Sequence, residues 1–250
     1  MRRVQHSTRT TRPTTLRIAL LLSSLVGTGA LWGQAGDVTL RAELIRMDHD
    51  RSSQRPESSG VVAWLSPLPG SIPLAPATTK HDRYTLTQKE KQFQPHLLVV
   101  PTGSSVDFPN ADPFFHNVFS LFDGKRFDLG LYEAHTEKAV RFDREGVSYI
   151  FCNIHPQMAA VVISLSTPFY GVSQADGSIV IHDVPAGTYR FSVWAENVPA
   201  EATRALEHIV KVDGPSTRLA DLHLKTTGDL AHNHANKFGE RYKTQPSDPY

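Results

Sequence analysis

The sequence VSYIFCNIHPQMAAVVISL, residues 147–165, joins two apolar runs through the short polar segment NIHPQ. Both runs are rich in β-branched and aromatic residues, and the segment between them contains a proline, a pattern that predicts two β-strands and a tight connection. If the first strand ends at Cys152, then Ser148, Ile150 and Cys152 point to one face of the sheet and the residues between them to the other. Cys152 is then expected to face the protein interior at the end of its strand.

Similar short runs occupy the chain from residue 91 to residue 167. They are PHLLVV, SSVDF, HNVFSLF, KAVRF, VSYIFC and AAVVISLS, separated by the turn-forming segments PTG, PNADP, FDGK and DREG. Runs of this kind, repeated over about 75 residues, are typical of an antiparallel β-sandwich or barrel.

A second β unit is predicted over residues 168–225. It contains FYGVSQADGSIVIHDVPAGTYRFSVWAE, with a hairpin turn signal at residues 176–177 and apolar side chains alternating at Tyr189, Phe191 and Val193. The runs HIVKV and LADLHLK are predicted to be its closing strands.

The two ends of the chain differ from this β-rich centre. Residues 36–90 contain two predicted strands, VTLRAELIRM and SGVVAWLSP, and otherwise polar or proline-rich loops that we expect on the surface. Residues 226–250 are polar and aperiodic and are predicted to form a disordered tail.

Residues 1–35 have the features of a signal peptide. Arginines without any acidic residue precede the apolar run IALLLSSLV, and small residues follow at Gly33 and Ala35. Cleavage after Ala35 predicts a periplasmic or secreted protein with no stable membrane insertion, because the apolar run is shorter than the roughly 20 residues of a spanning helix. An uncleaved anchor is the alternative, because no charged residue lies between Ile18 and Asp37.

Charge and motifs exclude several classes of function. The chain has 26 basic and 25 acidic residues, and removal of residues 1–35 takes away five of the basic ones, leaving 21 against 25 and a net charge of −4. A mildly acidic protein without basic clusters is a poor nucleic-acid binder. We also predict no enzymatic activity, because there is no HExxH motif, glycine-rich phosphate loop or paired-carboxylate pattern, and no oxyanion element accompanies the Cys–His pair.

Cys152 is the only cysteine in the chain. Exported proteins usually pair their cysteines, so a single one indicates an intermolecular disulfide, a reactive thiol or a metal ligand. The turn NIHPQM brings His155 and Met158 to the same end of the sandwich, and His116, at the start of the run HNVFSLF, can supply a fourth group. A thiolate, two imidazoles and a thioether are the set that copper prefers in a trigonal site with a long axial thioether, whereas a thioether is a poor ligand for zinc.

The Cys-x2-His-x2-Met spacing of CNIHPQM resembles the ligand loop of amicyanin-type blue copper proteins, and HNV after PFF resembles their upstream histidine strand. Residues 92–166 as a whole are similar to bacterial exported proteins of the methylamine-utilisation or plastocyanin-like kind. This resemblance implies a cupredoxin domain over residues 91–167 that holds one type 1 copper ion. The implied copper ligands are His116, Cys152, His155 and Met158.

The same resemblance implies roles for two further residues. Asn117 would tie the two ligand loops together. Pro156 has no N–H to donate to the thiolate and would therefore help to set the reduction potential.

The C-terminal unit resembles the carboxypeptidase regulatory-like or transthyretin-like sandwich, a non-catalytic module. The expected fold class is therefore all-β, with a Greek-key cupredoxin sandwich followed by a smaller immunoglobulin- or transthyretin-like β-sandwich.

The leading functional hypothesis is a one-electron carrier whose redox partner protein docks near the ring edge of His155. Copper storage or delivery, and a metal-free β-sandwich that binds a protein or carbohydrate, are the alternatives. In the metal-free case Cys152 is an ordinary buried thiol and Met158 fills the core. The remaining histidines are expected to be exposed or singly bonded, although His232 and His234 in the tail could bind a metal adventitiously.

Overall fold

The computed structural model describes residues 35–46, 59–70, 83–121, 124–227 and 234–242. The predicted signal peptide lies outside the described residues, except for Ala35. Within the described ranges the chain consists of β-strands and one short helix, and no helix there has the length and apolar character of a membrane span. The predicted all-β fold class is confirmed.

The strands follow one another at short intervals. They are β1 (Gly36–Arg46), β2 (Val62–Pro67), β3 (Arg83–Thr85), β4 (Thr87–Lys89), β5 (Gln92–Gln94), β6 (Leu97–Pro101), β7 (Ser105–Pro109), β8 (His116–Ser120), β9 (Phe127–Tyr132), β10 (Glu137–Arg141), β11 (Gly146–Cys152), β12 (Ala159–Leu165), β13 (Tyr170–Val172), β14 (Ser178–Val184), β15 (Gly187–Trp194), β16 (His208–Val212), β17 (Ser216–Arg218) and β18 (Leu222–Thr226). Helix α1 (Ala200–Arg204) connects β15 to β16.

The central sandwich consists of a five-stranded sheet in the order β6-β12-β11-β8-β9 and a three-stranded sheet in the order β10-β7-β3. Side chains from both sheets, among them Phe108, Val118 and Ile150, form one core. Strands β11 and β12 are antiparallel, but β6 is parallel to β12 and β3 is parallel to β7. The sandwich is therefore mixed and not wholly antiparallel as predicted, because strands distant in the sequence run side by side in the same direction.

Strand β11 has the predicted alternation. Ile150 and Cys152 lie in the core of the central sandwich, whereas Phe151 packs on the opposite face. The neighbouring strand β12 is buried on both faces, since Val162 faces this core and Ile163 packs with Trp194 of β15. A strand covered on both sides needs no polar face, which explains why AAVVISL is almost continuously apolar.

The terminal sandwich consists of a sheet in which β1 pairs with β14, β17 and β18, and a second sheet in the order β13-β2-β15-β16. Leu40 of β1 and Leu65 of β2 share its core with Tyr189 and Phe191 of β15. The predicted N-terminal stretch of residues 36–90 thus supplies two inner strands to the sandwich that the sequence placed at residues 168–225.

The turn predicted at residues 176–177 forms, with Gly177 at a positive φ of 80° and the Asp176 carboxylate accepting a hydrogen bond from the Ser178 N–H. The strands that it joins do not pair with each other, since β13 pairs with β2 and β14 pairs with β1. The predicted hairpin is limited to its turn: the Gln174 N–H donates to the Ser178 carbonyl at 2.9 Å, but no ladder follows, and the chain passes from one sheet to the other.

Replacing Leu40 with alanine should destabilise the terminal sandwich by about 2–5 kcal/mol, because a fully buried leucine is removed from the core between its sheets. Urea unfolding followed by tryptophan fluorescence measures this loss. The control is Ile209→Ala, which truncates a side chain that is 55% exposed and should change the unfolding free energy by about 0.5 kcal/mol or less. Equal losses in the two variants would show that β1 is not part of that core.

Candidate metal centre

Three side chains converge at one end of the central sandwich. His116 begins β8, Cys152 ends β11, and His155 lies in the segment between β11 and β12. The Cys152 Sγ lies 3.6 Å from the His116 Nδ1 and 3.6 Å from the His155 Nδ1, and the two Nδ1 atoms are 3.2 Å apart. The structure thus brings together three of the four residues that the sequence predicted as ligands.

The size of this triangle fits a metal ion. The three donor atoms form a triangle with sides of 3.6, 3.6 and 3.2 Å. The point in its plane that is equidistant from the three atoms lies about 2.0 Å from each. Bonds from imidazole nitrogen or thiolate sulfur to a first-row metal are roughly 2.0–2.3 Å long. The donor atoms are therefore already spaced as one shared ion requires.

The site is enclosed by protein. His116 and Cys152 are fully buried, and His155 is 7% exposed. The ring of Phe114 packs against both imidazoles, with centroids 5.3 Å from that of His116 and 5.6 Å from that of His155. The Lys91 ammonium lies over the Phe114 ring, 5.4 Å from the ring centroid. Water has little access to the three donor atoms.

Backbone hydrogen bonds set the shape of the segment between β11 and β12, which we call the ligand loop (residues 153–158). The Cys152 N–H donates to the Met158 carbonyl at 3.2 Å, and the Met158 N–H donates to the His155 carbonyl at 3.0 Å. These bonds bring both ends of the loop together and turn His155 back toward Cys152. The proline at position 156 suits the turn because its φ is already restricted.

Met158, the fourth predicted ligand, is fully buried and belongs to the same apolar core as Cys152. Its backbone closes the ligand loop, as the bond from the Cys152 N–H shows. A thioether is in general a weak axial donor to copper.

The sequence did not reveal Asp112, which is buried beside His116. Its carboxylate lies 3.0 Å from the His116 Nε2 and accepts hydrogen bonds from the N–H groups of Glu90 and Lys91 at 2.6 and 3.0 Å. Burial raises the pKa of Asp112, but the bonds from Lys91, His116 and Glu90 together lower it below its ordinary value, so the group is a carboxylate. The only signal in the sequence is an aspartate four residues before the histidine, a spacing common in loops.

Asp112 determines which nitrogen of His116 carries the proton. Burial lowers the pKa of His116 despite the opposing hydrogen bond and charge of Asp112, so the ring is neutral near pH 7. A neutral ring whose Nε2 faces a carboxylate holds its proton on Nε2. The Nδ1 lone pair of His116 therefore points into the triangle, which is the state that a metal ligand requires.

Two opposing effects act on the pKa of the Cys152 thiol. Burial raises the pKa of the thiol, while N–H groups of Asn117, Ile154 and His155 form hydrogen bonds to the sulfur that oppose the rise. In the absence of a cation the thiol is protonated, and a bound metal ion would displace that proton. The three N–H groups then stabilise the thiolate.

Asn117 connects the two ligand-bearing segments through its backbone. Its carbonyl accepts a hydrogen bond from the Asn153 N–H at 2.9 Å, and its side-chain amide donates to Asp128 at 2.7 Å. Pro156 is exposed, and its carbonyl accepts a hydrogen bond from the His234 Nε2 at 2.7 Å. His234 is thus engaged beside the ligand loop, and residues 234–242 differ from the disordered tail that the sequence predicted.

No protein-family model and no curated protein matches the chain. Among solved structures, a purple cupredoxin from Nitrosopumilus maritimus is similar with 22% identity and a TM-score of 0.30, over 33% of this chain and 99% of that one. A mutant of amicyanin in the Cu(I) form has 18% identity and a TM-score of 0.32, over 41% of this chain and 98% of that one. The copper-containing nitrite reductase NirK from Thermus scotoductus SA-01 has 17% identity and a TM-score of 0.34, over 50% of this chain and 28% of that one. Similarities of this size do not assign a function, which rests on the side chains described above.

Replacing Asp112 with alanine should weaken metal binding about 10- to 100-fold, because His116 loses the carboxylate that fixes its ring and its tautomer. Titration with Co(II), followed by its thiolate charge-transfer absorption, measures the affinity. Asp143→Ala is the control, since it removes a surface carboxylate that pairs with Lys125. Thermal unfolding of the metal-free variants separates a local effect from loss of fold, and equal affinity in the two folded variants would contradict the role of Asp112.

Proposed function

We propose that this protein is an exported type 1 copper protein that carries single electrons, with copper held by His116, Cys152, His155 and Met158. The observation that supports the proposal best is the buried triangle of two Nδ1 atoms and one Sγ, whose sides of 3.2 to 3.6 Å suit a single ion. Export is inferred from the signal-peptide features of residues 1–35.

The donor set favours copper over other first-row metals. Thiolate and thioether groups are soft and select Cu(I), while imidazoles suit both Cu(I) and Cu(II). Zinc prefers four strong nitrogen, sulfur or oxygen ligands, and Met158 would be a poor fourth one. Bound copper would supply a one-electron Cu(II)/Cu(I) couple.

The residues around the ligands suit electron transfer because they restrict movement. His116 and Cys152 lie at strand ends within one hydrogen-bonded sheet, where β11 pairs with β8. Asp112 holds the His116 ring from behind, and Phe114 packs on both imidazoles. Ligands held in this way keep the same positions in both oxidation states, so that little reorganisation accompanies the transfer.

A redox partner would dock on the apolar surface beside His155. Three apolar side chains near the site are exposed: Phe115 to 48%, Leu131 to 60% and Ile154 to 37%. Phe115 precedes His116 and Ile154 precedes His155 in the sequence. Leu131 lies across the β8–β9 ladder from Asn117. Exposed apolar side chains next to a buried site are candidates for a docking surface. A partner seated there would lie near His155, which is itself 7% exposed.

Two other functions fit the same residues less well. Copper storage or delivery requires metal that exchanges readily, whereas all three donor residues are buried. A metal-free binding module would not benefit from placing two imidazoles and a thiol at one buried point, since each group loses its hydration there.

Addition of Cu(II) to the purified chain from residue 36 onward should produce an intense visible thiolate-to-copper band and a narrow copper hyperfine splitting in the electron paramagnetic resonance spectrum. Cys152→Ser should abolish the band, because an alcohol cannot replace the thiolate as a charge-transfer donor. A colourless wild-type protein with a free thiol, or a Cys152→Ser protein with the same spectrum, would refute the proposal. Ready loss of the metal to a weak chelator would favour delivery.

Met158→Gln should preserve the visible band and lower the reduction potential, because an amide oxygen in the axial position stabilises Cu(II) more than a thioether does. Cyclic voltammetry measures the potential. Leu129→Gln, a change at a partly buried residue at the edge of the same core, is the control and should leave the potential unchanged. An unchanged potential in Met158→Gln would show that the thioether only fills the core.

A further inference from the structure

Residues 234–242 cross the ligand end of the central sandwich, and we call this segment the strap. It follows the last strand of the terminal sandwich in the sequence, yet its hydrogen bonds reach residues of the ligand loop and of β9. The strap belongs to none of the strands of either sandwich. The strap therefore contacts the ligand end of the central sandwich without being a strand of either of its sheets.

Three hydrogen bonds join the strap to the polypeptide that carries Cys152 and His155. The His234 Nε2 donates to the Pro156 carbonyl at 2.7 Å, and the Tyr242 hydroxyl donates to the Cys152 carbonyl at 2.8 Å. The Lys237 N–H donates to the Asn153 side-chain oxygen at 3.0 Å. The bonded positions are spread along the loop from its beginning to its apex, so the strap spans it.

Lys237 also connects the loop to the strand that carries His116. Its ammonium lies 2.8 Å from the Asp128 carboxylate, and the other oxygen of Asp128 accepts a hydrogen bond from the Asn117 amide at 2.7 Å. Lys237 is thus linked to Asn117, the residue after His116, by its side chain through Asp128. It is linked to Asn153, the residue after Cys152, by its backbone N–H.

An aromatic contact anchors the start of the strap. The His234 ring stacks on Phe151 with centroids 4.0 Å apart and an interplanar angle of 22°. Phe151 is fully buried although it points away from the core that contains Cys152. The His234 ring is part of what covers Phe151 on that face.

We propose that the strap holds the ligand loop closed and thereby slows the exchange of copper, an inference that rests on the proposed function. Because His116 and Cys152 both lie at strand ends in one sheet, the donor atom of His155 can move away from theirs only if the ligand loop opens. Opening displaces Asn153 and Pro156, and so requires the loss of the bonds from Lys237 and His234. The strap thus makes the site retain its metal, as an electron carrier needs and a delivery protein does not.

The test compares two truncated chains. One ends at residue 233 and lacks the strap, and the matched control ends at Tyr242 and lacks only residues 243–250. Both chains keep all the strands that the structure describes, of which the last ends at Thr226. Transfer of Cu(I) to the chelator bicinchoninate should be about tenfold faster or more without the strap, since each lost hydrogen bond contributes several-fold to the stability of the closed loop. Equal transfer rates within a factor of two would overturn the proposal.

A second measurement does not depend on copper. Hydrogen exchange of the backbone N–H groups of Asn153 and Met158 in the metal-free protein should be faster in the chain that ends at residue 233 than in the control. Lys237→Ala should have part of this effect and Lys237→Arg should restore protection, because the ion pair with Asp128 is lost and regained. Absence of a copper–thiolate band in both chains would refute the proposed function, whereas unchanged exchange in the shortened chain would refute the strap alone.

Discussion

The physical constraint on which this protein depends is the burial of two imidazoles and a thiol at a single point. Each of these groups loses hydration when it leaves water, and three of them within 3.6 Å of one another exclude other partners from the space between them. Such an arrangement is costly unless a cation occupies the centre or hydrogen bonds surround it. In this chain the surrounding bonds are present, and the central space has the size of one ion.

Hydrogen bonds from the rest of the central sandwich compensate the buried groups for their lost hydration. Asp112 binds the outer nitrogen of His116 and is itself held by two backbone N–H groups, so a buried carboxylate and a buried imidazole compensate each other. Backbone N–H groups of Asn117, Ile154 and His155 lower the pKa of the Cys152 thiol against the effect of burial. The sheet between β8 and β11 fixes the separation of the two segments, which is why a histidine and a cysteine 36 residues apart meet.

The terminal sandwich and the strap extend this support beyond the domain that carries the ligands. Val161 and Ile163 of β12 pack with Trp194, so the sheet of the site is covered on its second face by the other sandwich. The strap lies more than 70 residues after the ligand loop in the sequence. Its residues Lys237 and Tyr242 bind Asn153 and Cys152, and no local sequence pattern predicts these contacts. The sandwich that carries His116, Cys152 and His155 is thereby combined with elements outside it that contact the ligand loop.

The sequence by itself determined the β-strand character, the alternation in β11 and the convergence of Cys152 and His155, because these depend on periodicity and on spacing within a few residues. It also indicated His116, since the histidine begins a recognisable strand. Only the tertiary structure decided that β1 and β2 complete the terminal sandwich, that β6 is parallel to β12, that Asp112 holds His116 and that the strap covers the ligand loop. These features arise from contacts between segments far apart in the chain, or from the direction in which a loop side chain points, and the local pattern of residues contains neither.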